Sequence, residues 1–197
     1  SVKTRTIAAM RILSIETSCD ETAVSIVKVN GEFPNANYEI IGDALHSQTN
    51  LHAEYGGVFP TIAKREHAKT LVPMLEKALR EADLLEAGGD DTAPEDELRT
   101  TLEREPDLAD ALIEFVKNYD APEIDLIAVT TGPGLAPALW VGVNFAKALS
   151  KLWNVHVVPV NHMEGHILAS LYDVVEDNQL ADVQFPDSAI IPGVDLE

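Results

Sequence analysis

The sequence predicts an α/β domain on a mixed five-stranded sheet: a three-strand antiparallel meander, then two parallel crossover strands, with helices on the flanks. Three observations carry this expectation. The N-terminal part holds three runs rich in Ile, Val and Leu joined by short polar connections, the pattern of strands linked by tight turns. The C-terminal part alternates short apolar runs with long segments of helical period, which implies right-handed parallel crossovers. Between them, Ala68, Leu71, Val72, Leu75 and Leu79 recur at the spacing of one helix face.

Taken in order, residues 11–17 and 23–29 read as strands joined by the polar turn Ser18 to Thr22, and 38–45 as a third strand. A loop with Gly56, Gly57 and Pro60 leads into a helix over 62–82. Gly88, Gly89 and Pro94 then break the pattern, so residues 83–120 read as an acidic, mobile insertion closed by a short helix over 108–119. Residues 124–130 form an apolar strand, 137–153 a helix, 155–160 a strand and 161–175 a helix, with a further strand near 188–191. Residues 1–9 read as a leader or non-native remnant, 10–191 as the domain, and 192–197 as a truncated or non-native end. No internal repeat is found, and this layout is that of one half-unit in the actin-like (ASKHA) class, which includes hexokinases and sugar kinases.

The 197 residues, 46% of them hydrophobic, suffice for one packed domain. No apolar run reaches the length that spans a bilayer, so no membrane partner is expected. Cys19 is the single cysteine, which rules out an internal disulfide and fits a reducing compartment, the cytoplasm or an organellar matrix. The formal net charge of −19 argues against a protein that coats nucleic acid. Twelve Asp/Glu and two Arg between Glu81 and Asp110 carry over half of it. Lys64, Arg65, Lys69, Lys77 and Arg80 on one predicted helix remain as a candidate basic patch, and the alternative is an ordinary solvated face.

Chemistry is expected at three loops. In Glu16 to Thr22, backbone N–H groups with the hydroxyls of Thr17 and Ser18 can face a phosphate, while Asp20 and Glu21 suit a Mg-nucleotide or a base beside an attacking amine. A solvated hairpin turn explains the same composition. Cys19 lacks a basic neighbour to activate it and reads as a buried or semi-buried structural cysteine. In Thr130 to Pro137, Gly132 and Gly134 allow close backbone approach at a helix N-terminus, without the Lys-Ser/Thr ending of a P-loop. In Asn161 to His166, Asn161 is a good N-cap, and His162 and His166 lie about 40° apart on a helix, which can form half of a metal site. Glu164 lies about 160° from His162, unlike the protease H-E-x-x-H arrangement; a capped helix with two surface histidines is the plainer alternative. His46, His52 and His67 show no metal spacing and read as loop or core-satisfied imidazoles.

Together these segments resemble the tRNA adenosine threonylcarbamoyltransferases, the TsaD type formerly labelled O-sialoglycoprotein endopeptidase or glycoprotease. The resemblance rests on Ile15 to Thr22; on Ser47, Gln48, His52, Gly56-Gly57-Val58, Pro60, Arg65 and His67; on Thr131 to Leu135 with Val141-Gly142; and on Asn161 to His166. It implies an actin-like fold of two halves, of which this chain is the N-terminal one. It further implies transfer of threonylcarbamoyl from threonylcarbamoyl-AMP to an anticodon-adjacent adenosine of tRNA. One divalent metal, iron or zinc, would bind His162 and His166. Asp20 and Glu21 would act as base or amine-orienting pair, and Gly132 and Gly134 would line the donor pocket. Lys64, Arg65 and Lys69 are the candidate tRNA contacts.

Three departures stand out. Thr61 follows Pro60 where relatives carry Glu or Arg, the acidic segment is long, and the second half with its further metal-ligating Asp is absent. The chain alone is therefore expected to be inactive and to bind metal weakly, to work with other proteins of the modification complex, and to offer its cleft face to a homodimer. A metal-dependent glycoprotein endopeptidase and a non-catalytic assembly partner of the same complex are the alternatives. The peptidase is disfavoured by the position of Glu164, and the assembly partner by retention of the His pair.

Overall fold

The computed structural model describes residues 9–31, 36–53, 55–89, 92–171 and 179–180. The order is β1 (Met10–Glu16), β2 (Glu21–Asn30), β3 (Asn37–Ser47), α1 (Thr49–Ala53), α2 (Pro60–Glu81), α3 (Glu95–Thr101), α4 (Pro106–Asn118), β4 (Leu126–Gly132), α5 (Ala136–Trp153), β5 (His156–Asn161), α6 (His162–Leu171) and β6 (Gln179–Leu180). The sheet order is β5-β4-β1-β2-β3-β6. β1, β2 and β3 pair antiparallel, whereas β1–β4 and β4–β5 pair parallel. The mixed five-stranded sheet with flanking helices is as expected, and the two-residue β6 extends its edge beside β3. Residues 1–8 of the expected leader over 1–9, the helix beyond 171, and the segments 188–191 and 192–197 lie outside the described residues.

Alternation sorts the side chains into two faces. Leu13 pairs across from Ile26 and Ile127, and Ile15 from Val24 and Val129; all six are buried beneath the helices. Ser14, Glu16, Ala23, Ser25 and Ala128 point to the other face. α2 buries Ala63, His67, Leu71, Leu75, Ala78 and Leu79, and α5 buries Val141, Phe145, Ala148 and Leu149. β3 lies so close to α2 that a Cβ on Gly42 would meet the Ala78 carbonyl oxygen at 2.1 Å. Only glycine permits that contact.

The acidic segment, expected as a mobile insertion, packs into the domain over its described residues. Leu98, Leu102, Leu108, Leu112 and Phe115 are buried in the common core, with α4 against α2 and α3 against α4 and α5. Apart from the buried Glu105, the described acids lie outward, three of them paired in Lys117–Glu95, Lys151–Glu97 and Arg99–Asp110. The helical period of the leucines, not the charge density, decides the outcome, because burying one apolar stripe leaves the acidic face free in water. His46 also lies within β3 and His52 within α1, not on a loop. No helix among the described residues is long and apolar enough to cross a membrane.

Candidate functional site

The three parallel strands end at Glu16, Gly132 and Asn161, side by side on one edge of the sheet. Ligands of α/β sheets bind beyond the carboxyl ends of parallel strands, so the local geometry there decides what the chain can do.

Glu16 joins the three loops. Its Oε1 accepts from the Ser18 amide at 2.5 Å, its Oε2 accepts from the Thr130 hydroxyl at 2.5 Å, and Oε2 lies 3.3 Å from His162 Nδ1. Ser18 Oγ lies 3.2 Å from the same nitrogen. The glycine loop is fastened to the turn by the Leu135 N–H, which donates to the Ser18 carbonyl at 2.7 Å. Gly134 makes that approach possible, since a Cβ there would meet the Ser18 carbonyl oxygen at 2.6 Å and its Cβ at 2.8 Å.

Asn161 caps α6: its Oδ1 accepts from the amides of Met163 at 2.9 Å and Glu164 at 3.4 Å. The cap fixes the first turn, and His162 and His166 follow one turn apart. Their Nε2 atoms lie 3.0 Å from each other, with the rings edge to face. Glu164 is exposed, and the cap uses its amide.

Burial works to raise the Glu16 pKa, but hydrogen bonds from Ser18, Thr130 and His162 outweigh it and hold the carboxyl below its usual value. Cys19 is exposed, which corrects the expectation of a buried or semi-buried cysteine. Partial desolvation and then the neighbouring Asp20 carboxylate raise its pKa, so it stays a thiol.

A buried polar network supports the turn from below. His67, fully buried, has Nε2 3.1 Å from the Cys19 carbonyl and Nδ1 2.8 Å from the Thr22 hydroxyl. The Cys19 carbonyl only accepts, so Nε2 carries the proton, and the Gln48 side-chain NH2 group 3.4 Å from Nδ1 only donates, so Nδ1 accepts, which is the neutral imidazole. Gln48 bridges His67 to His52, and the Gln48 amide donates to the Asp20 carbonyl. Burial lowers the His67 pKa below its unfolded value. The unfolded chain then binds the proton more readily, so stability is complete above about pH 6.5 and falls as pH drops through that value. Urea melts between pH 8 and pH 5 should show a smaller loss in His67→Gln than in the wild type. An unchanged slope would remove His67 as the cause.

The family model described as tRNA N6-adenosine threonylcarbamoyltransferase, TsaD, matches residues 39–87 and 85–193. The chain belongs to this family. A solved structure titled YeaZ from Pseudomonas aeruginosa is similar at 15% identity and a TM-score of 0.43, covering 94% of this chain and 72% of that one.

Within this TsaD-family chain, the expected site residues fare differently. Ser18, Gly134, His162 and His166 come together, joined by Glu16 and Thr130, which sequence reasoning did not single out. A signal for Glu16 was present: in β1 it falls with Ser14 on the face opposite Leu13 and Ile15. Gly132 ends β4 with φ 153°, in the region that favours glycine. Thr17, expected at the substrate, is buried, and its hydroxyl donates to the Ala138 carbonyl in the first turn of α5. Asp20 lies in the turn, partly exposed, and Glu21 opens β2, exposed; neither side chain bonds the histidines among the described contacts.

The basic patch on α2 is largely neutralised. Lys64 pairs with the buried Glu105 at 2.9 Å, Lys69 with Glu66 at 2.6 Å, Lys77 with Glu81 at 3.6 Å, and Arg80 with Glu76. Arg65 alone of the five is exposed without such a pair among the described residues. Lys64 is held because Glu105, taken out of water, needs a counter-charge. Among the described residues, Arg65 is therefore the one of Lys64, Arg65 and Lys69 without an acidic partner.

The donor set fits half of a metal shell. Two imidazole nitrogens bound at about 2.0–2.1 Å to a tetrahedral ion stand about 3.3–3.4 Å apart, close to the observed 3.0 Å. Among the described residues no third His, Cys, Asp or Glu completes a cluster. A depression lined by Ser14, Glu16, Ala23, Ser25, Thr130 and Val160 includes Glu16, which lies 3.3 Å from His162 Nδ1, but neither histidine. A larger cavity beside Trp140 and Lys147 lies on the helix-covered side, is mainly apolar, and does not include the histidines.

Proposed function

We propose that this chain provides the metal-binding and donor-handling side of a transferase that moves threonylcarbamoyl from threonylcarbamoyl-AMP to the exocyclic amine of an anticodon-adjacent adenosine in tRNA. The observation that carries this reading is the His162–His166 pair, Nε2 to Nε2 at 3.0 Å, set beside the Ser18 turn and the Gly134 loop.

An iron or zinc ion held by that pair would supply a Lewis acid for the threonylcarbamoyl carbonyl. The chain's own groups do the rest. Gly134 lets the donor loop lie against Ser18, so the acyl group and the histidines share one small space. The adenosine amine attacks the carbamoyl carbon, the bond to the AMP phosphate oxygen breaks, and a turn carboxylate, Asp20 or Glu21, takes the amine proton. The net charge of −19 and the paired cations of α2 leave tRNA capture to other proteins of the threonylcarbamoyladenosine-forming complex.

Titrating the zinc-loaded chain with threonylcarbamoyl-AMP tests the reading by amide NMR. Shifts are expected at residues 16–22, 130–135 and 161–166. Shifts confined to the Trp140 cavity, or none at millimolar ligand, would overturn it.

A further inference from the structure

Glu16 carries an inference beyond the presence of a metal. His162 Nδ1 has two oxygen neighbours, Ser18 Oγ at 3.2 Å and Glu16 Oε2 at 3.3 Å. A serine hydroxyl can donate or accept, but an ionised carboxylate only accepts. A lone pair on Nδ1 would face the lone pairs of Oε2, so the proton belongs on Nδ1 and the lone pair on Nε2. Histidines that bind metals are held in this way, with a carboxylate behind the distal nitrogen.

The second histidine is then constrained as well. His162 Nε2 presents its lone pair to His166 Nε2 at 3.0 Å, and two lone pairs cannot meet at that distance. Without a metal, His166 must carry its proton on Nε2 and donate it to His162. A cation held by both Nε2 atoms needs both lone pairs, so that proton has to go.

We propose that Glu16 is a positioning residue that locks His162 as the Nδ1–H tautomer, and that metal uptake is accompanied by a tautomer change at His166 alone, from Nε2–H to Nδ1–H. Nε2 gives its proton to solvent and Nδ1 takes one, so no net proton is released from a neutral pair. Glu16 also accepts from Thr130 at the start of the glycine loop, so the same carboxylate sets the register of that loop against the His helix. The assignment of Glu16 is independent of metal, whereas the change at His166 rests on the proposed metal site.

The test uses long-range ¹H–¹⁵N correlation on the ¹⁵N-labelled 197-residue chain at pH 8, with Zn²⁺ as a diamagnetic probe. Resonances are assigned through His162→Gln and His166→Gln. Expected are a protonated Nδ1 at His162 with and without zinc, and a proton that moves from Nε2 to Nδ1 at His166 when zinc is added. Glu16→Ala should let His162 populate both tautomers and weaken zinc binding by about 10–100-fold. Glu16→Gln, which keeps a carbonyl acceptor for Nδ1–H, should recover part of that loss. An Nε2-protonated His162 in the metal-free wild type overturns the Glu16 assignment, and needs no variant to fold. Zinc binding with His166 still protonated on Nε2 overturns the second half. Failure of zinc to bind at all overturns the metal reading itself, while a protonated Nδ1 at His162 would still uphold the role of Glu16.

Discussion

Replacing His166 with alanine should weaken zinc binding to this chain by at least about 100-fold, beyond the 10–100-fold typical of lost outer-shell partners. The described residues bring only two side-chain ligands together, so removing one leaves a single imidazole and abolishes the chelate. His162→Ala should match it in size. It also frees Glu16 and Ser18 from their contact with Nδ1, so its thermal stability should shift where that of His166→Ala does not. His156→Ala is the control, since that exposed histidine sits at the far end of β5. Competition with a chromophoric zinc chelator measures all three. Wild-type affinity in His166→Ala would show that the bound ion is held elsewhere.

Leu112→Ala should destabilise the fold by about 3–5 kcal/mol, the range for a fully buried leucine whose cavity does not collapse. Leu112 sits on α4, just past the 81–110 stretch that carries over half of the chain's net negative charge, and its side chain is 0% exposed. α4 packs on α2, which in turn carries His67 beneath the 18–22 turn. The loss should therefore appear as one cooperative transition, with its urea midpoint lowered and its slope unchanged. A change under about 1 kcal/mol, or local melting of 95–118 alone seen by hydrogen exchange, would restore the picture of a mobile insertion.

Much of the fold was legible because its signals are local. Period-2 runs marked β1 to β3, the 3.6-residue period marked α2 and α5, and Asn161 marked the start of α6. The acidic segment misled because its charge and glycines were weighed above the leucine spacing at Leu98, Leu102, Leu108 and Leu112. Among site residues, the His pair was legible as an i,i+4 spacing on one helix. Glu16 was hidden in plain view, because its partners Thr130 and His162 lie 114 and 146 residues away along the chain. The pairing of Lys64 was hidden for the same reason: its partner Glu105 is 41 residues away, at the N-cap of α4.

By itself the sequence determined most of the elements, the side chains that share a face, and the family to which the chain belongs, since each follows from spacing within a segment or from motifs in order. Only the tertiary structure decided which loops meet. The parallel pairing that inserts β4 between β1 and β5 sets Glu16, Gly132 and Asn161 along one edge, and hydrogen bonds then choose among the groups gathered there. Such contacts depend on strand order and register, and those are settled by the burial of Leu13, Ile15, Ile127 and Val129 in a common core.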